Sequence, residues 1–159
     1  MEPLKIFIDG STDPVTKIGY GATLIVGDIT VPPELLVPKI RVKMFEQTTS
    51  TKLELQCLLW ALNEIGEKAK KIIIYTDSQN IIRLPQKGEE FRKNNYQSRG
   101  GKPLSHSELY REFYTITDKL DCEFIKVAGH QRSDKKDNTS RIFTLLDRAA
   151  RKALRSNNG

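Results

Sequence analysis

The segment Lys71-Ile72-Ile73-Ile74-Tyr75 is an unbroken, largely β-branched run, the signature of a strand covered on both faces. Such a strand needs one packing layer above it and another below, which points to an α/β chain with helices on the faces of a sheet. Candidate covers stand on either side. Thr51 to Glu67 carries leucines at 55, 58, 59 and 62 followed by Ile65, the period of an amphipathic helix. Ser140 to Arg155 places Ile142, Leu145, Leu146, Ala149, Ala150 and Ala153 on one helical face, and a further helix is expected from Ser107 to Lys119. After the run, Asp77 or Ser78 can cap a short helix that Pro85 is expected to limit.

The remaining strands are shorter. Lys5-Ile6-Phe7-Ile8 stops at Asp9-Gly10, and Tyr20 to Val26 follows a polar turn containing Asp13-Pro14, so the two read as a hairpin. Pro32, Pro33 and Pro38 lack amide donors, which makes residues 31 to 38 a loop before a third strand near Lys39 to Phe45. Cys122 to Val127 is another strand and Gly129 to Asn138 a hydrophilic loop. Together these elements predict a mixed sheet flanked by helices. A chain of 159 residues fits one domain burying about two-thirds of the surface of its unfolded form. With no apolar stretch of membrane-spanning length and no basic-then-apolar start, a cytoplasmic location without membrane contact is expected. The two cysteines, Cys57 and Cys122, lack the paired spacing of zinc or redox motifs.

Charge is uneven along the chain. Residues 1 to 82 hold 9 Lys or Arg against 10 Asp or Glu, while residues 83 to 159 hold 17 against 10. A basic second half suits a phosphate backbone but also suits a solvated surface. Against this background four carboxylates stand at the ends or shoulders of predicted elements: Asp9, Glu54, Asp77 and Asp147. Each has a plain structural reading. Asp9-Gly10 is a turn signal, Thr51 to Glu54 has the spacing of a capping box, Asp77 can cap a helix, and Asp147 can pair with Arg151 one turn on. Asp147 fits its plain reading least, because Phe143, Ala150 and Leu154 share its side of the helix and direct the carboxylate toward protein. Carboxylates gathered from distant segments stay ionised together only when cations hold them, which suggests a magnesium-type site. His130, in a glycine-containing loop just past a strand, suits either a surface residue or a proton carrier near neutral pH.

Six stretches, Phe7-Ile8-Asp9-Gly10-Ser11, Gly19-Tyr20-Gly21-Ala22, Thr48-Thr49 with Leu53-Glu54-Leu55, Thr76-Asp77-Ser78-Gln79, Lys126-Val127-Ala128-Gly129-His130 and Asp147-Arg148-Ala149-Ala150-Arg151, occur in an order that resembles the type 1 ribonuclease H family. The resemblance spans nearly the whole chain. It implies a five-stranded mixed sheet and endonucleolytic cleavage of the RNA strand of an RNA–DNA hybrid by a chain expected to act as a monomer. It also implies Asp9, Glu54, Asp77 and Asp147 as ligands for two magnesium ions, with manganese as a substitute, and His130 as an aid to proton transfer or product departure. Two-metal sites activate water and stabilise the leaving oxygen of an in-line displacement. By the same resemblance Gly10 and Ser11 offer backbone groups to RNA, Glu54 and Gln79 reach hydroxyl or base-edge atoms in the minor groove, and Thr49 contacts DNA phosphate.

The segment from Arg83 to Lys102 stands where the family has a basic protrusion. Its cations, Arg92 and Lys93 among them, are candidates for phosphate contacts, and Phe91 and Tyr96 for sugar or base faces. The chain departs from the bacterial pattern in three places. Its one tryptophan, Trp60, falls in the first helix, Ser50-Thr51 follows Thr49 where asparagines are common, and the His130 to Asp147 segment is longer. A related fold acting on DNA or junctions, and a non-catalytic hybrid-binding module, remain as alternative readings, since fold does not settle substrate.

Overall fold

A computed structural model describes residues 3–66, 69, 71–128 and 137–158 of the chain. Strand β1 (Leu4–Thr12) folds back on β2 (Gly19–Val26) in an antiparallel hairpin, and β3 (Arg41–Phe45) pairs antiparallel with β2. On the other side of β1, β4 (Lys71–Thr76) and β5 (Asp121–Lys126) add in parallel, giving a five-stranded mixed sheet in the order β3-β2-β1-β4-β5. Helices α1 (Ser50–Ile65), α2 (Gln79–Lys93), α3 (Ser107–Thr117) and α4 (Asn138–Asn158) complete the fold. None of the described helices is long and apolar enough to cross a membrane.

Strand alternation divides the core into two layers. Ile6, Ile8, Ile72 and Ile74 face α1, α2 and α3, where they meet Leu55, Leu58, Leu62, Ile81 and Phe113. Phe7 and Tyr75 face the other way, toward Ile142, Phe143, Leu146 and Ala150 of α4. These two rings are register partners on neighbouring strands and stack with centroids 4.5 Å apart. Burying each large apolar side chain contributes roughly 1.5–3 kcal/mol, so the isoleucine run of β4 anchors the sheet between its helical covers.

Two glycines set how closely α1 can approach. A Cβ on Gly10 would lie 2.6 Å from Leu53 Cδ2, and one on Gly21 would lie 2.9 Å from Cys57 Sγ. Their bare backbones let the start of α1 settle onto the end of the hairpin.

Three local expectations are corrected. The proline segment is not a plain loop, because residues Pro33–Lys39 coil into a 3₁₀ helix that buries Leu36. Thr51 does not form a capping box with Glu54. Thr49 is the N-cap, its hydroxyl accepting from the Lys52 amide at 3.3 Å, and Thr51 already lies within the helix. Pro85 does not limit α2, which runs through it to Lys93. An interior proline costs about 3 kcal/mol through its missing donor and ring clash. Burial of Ile81 and Leu84 before the proline and of Gly88 after it, with the Tyr114 hydroxyl donating to the Leu84 carbonyl at 2.7 Å, offsets that cost.

Candidate active site

Asp9 and Asp77 each stand two residues beyond the partnered Phe7 and Tyr75, at the carboxyl edge of the parallel strands. Crevices at such edges are where α/β sheets place their sites. The Thr76-Asp77-Ser78 turn is fixed from both sides: the Val127 amide donates to the Thr76 carbonyl at 2.8 Å, and the Ser78 amide donates to the Thr76 hydroxyl at 3.0 Å. Glu54 reaches the same edge from the first turns of α1, brought there by Leu53 packing onto Gly10. Asp147 arrives from the middle of α4, beside the buried Phe143 and Ala150. All four carboxylates line one cleft of about 290 Å³, together with the hydroxyl residues Thr12, Ser50, Ser140 and Thr144 and with Arg151.

The electrostatics of this cleft are unbalanced. Burial, followed by the charge of Asp77, pushes the Asp9 carboxyl up to about 8, and the charge and hydrogen bond of Asp147 add to the rise against the lowering effect of the Gly10 amide. Glu54 is also raised, first by burial and then by Asp77, although a hydrogen bond with Ser78 favours its ionised form. Ser78 thus serves two neighbours, since its Oγ also accepts from the Ile81 amide at 3.2 Å to cap α2. Asp147 accepts from Arg151 Nε at 3.0 Å, one helical turn away.

The donor chemistry of the cleft fits magnesium or manganese, because its side-chain donors are carboxylates and hydroxyls with no cysteine or histidine among the described lining residues. In charge it fits equally, since a cation would oppose both the burial and the acidic repulsion that raise the Asp9 carboxyl. Among the described residues, however, no three His, Cys, Asp or Glu side chains are already drawn together as ligands of one ion. Two of the four are turned to other partners, Glu54 to Ser78 and Asp147 to Arg151.

The other predicted residues separate into groups. Gly10 lines the cleft, and Ser11 follows it on β1, paired with Tyr20. Thr49 is exposed and occupied in capping α1, while Gln79 is exposed on the first turn of α2. Lys93 is exposed at the end of α2. Arg92 instead pairs with Asp118 at 2.7 Å and lies over the Tyr114 ring at 5.4 Å. Tyr96 is only 8% exposed, packed near Phe91 and Tyr114 with the Arg111 guanidinium 4.3 Å from its centroid. Its ring is therefore a core element and has little surface to offer a sugar or base. His130 lies outside the described residues. The lining residues Thr12, Ser50, Ser140 and Thr144 carry no sequence signal: Ser50 and Ser140 near helix starts read as caps, while Thr12 at the end of β1 and Thr144 within α4 belong to no motif.

Comparison with known proteins agrees with this architecture. The RNase H family pattern matches residues 1–155. The Ribonuclease H of Moorella thermoacetica is 28% identical over 159 residues, covering 98% of this chain and 95% of that protein. The Ribonuclease H of Thermoanaerobacter sp. (strain X514) is 28% identical over 101 residues, 62% of this chain, and the match spans 64% of that relative's length. Among solved structures, a chain from the foamy viral protease-reverse transcriptase in complex with dsDNA superposes with a TM-score of 0.67 over 94% of both chains at 12% identity, a likeness of fold. With the family match extending over nearly its whole length, this chain belongs to the RNase H family.

Proposed function

We propose that the protein is a divalent-metal-dependent endonuclease that hydrolyses the RNA strand of RNA–DNA hybrids. The observation that carries this reading is the convergence of Asp9, Glu54, Asp77 and Asp147 on one cleft, where burial first and the neighbouring acidic charges second raise the Asp9 carboxyl. In this reading the four carboxylates hold two magnesium ions, or manganese in their place. Bound there, the ions would supply Lewis-acid activation of water and stabilisation of the departing oxygen. For the chain's own residues, Asp9 must release its proton and Asp147 must leave Arg151 before both can serve as ligands. Arg151, on the cleft wall, is then free to face the substrate phosphate. Gly10 and Ser11 present backbone groups to the RNA strand, and Glu54 and Gln79 address the minor groove, where the 2′-hydroxyl distinguishes RNA from DNA. His130 moves a proton or assists product departure, and Thr49 and Lys93 meet phosphate.

Parallel digests of an RNA–DNA hybrid, duplex DNA, duplex RNA and a four-way junction, each with magnesium and with manganese, test the reading. Metal-dependent cleavage confined to the hybrid, and lost in Asp77→Asn, is the expected outcome. Preferred cleavage of DNA or of the junction would favour a different nuclease on this fold, and tight hybrid binding without turnover would favour a binding module.

A further inference from the structure

On β5, Cys122, Phe124 and Lys126 fall on one face of the strand, the first two packed against the layer that holds α2 and α3. Lys126 ends that row, in register with Thr76 and next to the turn that carries Asp77. There its Nζ donates to Gln79 Oε1 at 2.6 Å, spanning from the end of β5 to the first turn of α2. An ammonium group has donors and no acceptor, so it constrains the carboxamide to a single orientation. The oxygen must face Lys126, and the NH2 group is left on the opposite side. Gln79 follows Ser78, which hydrogen-bonds Glu54, so its backbone is one residue from the carboxylate cleft and its exposed side chain leads from there to Lys126.

We propose that Lys126 is a positioning residue that locks the Gln79 carboxamide with its NH2 group presented to the minor groove of the bound duplex, a role that rests on the functional reading above. The minor groove is rich in acceptors, purine N3, pyrimidine O2 and the 2′-hydroxyl oxygen. An amide that donates is complementary to them, whereas the flipped amide sets oxygen against oxygen. Lys126 therefore acts on substrate affinity through Gln79 and does not touch the reacting phosphate.

The test compares the wild-type chain with Lys126→Met, Lys126→Arg, Gln79→Ala and the Lys126→Met/Gln79→Ala double variant on a defined hybrid, at several salt concentrations. Lys126→Met and Gln79→Ala should each raise KM roughly two- to tenfold, the net worth of about one hydrogen bond, with kcat unchanged. The double variant should be no worse than Gln79→Ala, and Lys126→Arg should retain the wild-type KM. Multiplying effects in the double variant, or a salt slope lowered by about one in Lys126→Met alone, would identify a direct phosphate contact and overturn the proposal. An independent readout is the Gln79 side-chain amide pair in the nitrogen–proton NMR spectrum, which should move in Lys126→Met. An unchanged amide pair contradicts the lock even if KM rises, whereas a wild-type chain that leaves the hybrid intact while the amide pair responds contradicts the functional reading alone.

Discussion

The carboxylate cleft and the aromatic layer between α2 and α3 treat charge in opposite ways. In the aromatic layer, Phe91, Tyr96, Tyr110, Phe113 and Tyr114 pack with centroid separations of 5.0 to 6.4 Å, and the nearby cations are satisfied. Arg92 has Asp118 and the Tyr114 face, and Arg111 has the Tyr96 face and Asn95. In the cleft, by contrast, Asp9 is held protonated by burial and by its acidic neighbours. One region is complete without a ligand, while the other becomes balanced only when positive charge arrives. Unrelieved electrostatic strain, more than density of charged residues, is what separates a site from a surface here.

The sharpest way to break this contrast is Asp9→Asn. Cleavage of a hybrid should fall by about a thousandfold, the upper scale for loss of one preorganised electrostatic group. Stability should move the other way. Because the folded-state value of Asp9, about 8, lies above its ordinary 3.8, the native chain binds more protons than the unfolded one throughout that window. Stability of the metal-free wild type should therefore be greatest at acid pH, as far as this group is concerned, and decline as pH rises from about 4 to 8. Thermal unfolding across that range should show a shallower decline in Asp9→Asn, and added magnesium should raise the wild-type midpoint at pH 8 while leaving the variant nearly unmoved. An identical pH profile for the two chains would show that Asp9 is not strained in the folded protein.

Phe113→Ala makes the complementary change in the aromatic layer. Phe113 is 1% exposed and packs edge-on against Tyr114, so its truncation should cost about 3–5 kcal/mol in denaturant unfolding. Activity per folded molecule should persist, because Phe113 does not line the cleft. Arg92→Ala sharpens the comparison further. Its pair with Asp118 is half exposed, worth at most about 1 kcal/mol, and hybrid affinity should change little if the arginine belongs to the packing. A drop in affinity accompanied by a salt slope smaller by about one would return Arg92 to the substrate surface. The smallest effect is expected for Arg151→Ala: freeing Asp147 from an exposed i,i+4 pair, worth about 0.2–0.5 kcal/mol, should lower the magnesium concentration for half-maximal binding by about twofold in a titration followed by thermal shift.

Sequence reasoning succeeds where a physical cause is local. The isoleucine run of β4 and the leucine period of α1 encode their own burial, and the Asp147 to Arg151 spacing encodes its own ion pair. Reasoning from sequence fails where the compensation comes from far along the chain. Pro85 reads as a helix breaker because the group that helps offset it, the Tyr114 hydroxyl, lies 29 residues away in sequence from the proline. Tyr96 reads as a surface aromatic because its inward turn depends on left-handed backbone at Asn95 and Tyr96, with φ of 51° and 57°, which neither residue type requires. At the start of α1, Thr48, Thr49, Ser50 and Thr51 are all plausible caps, and only the hydrogen bond to Lys52 singles out Thr49. The four carboxylates are visible as residues, but the register that sets Asp9 and Asp77 side by side becomes visible only once Phe7 and Tyr75 are paired.

A hybrid whose RNA and DNA strands carry different end labels, digested and read strand by strand, reports directly on whether this cleft cuts RNA. Wild-type protein with magnesium should shorten the RNA label through internal cuts and leave the DNA label at full length, and Asp9→Asn should leave both intact. An uncut RNA strand with both magnesium and manganese, or a DNA strand cut as readily as the RNA, would show that the protein is not a hybrid-specific ribonuclease.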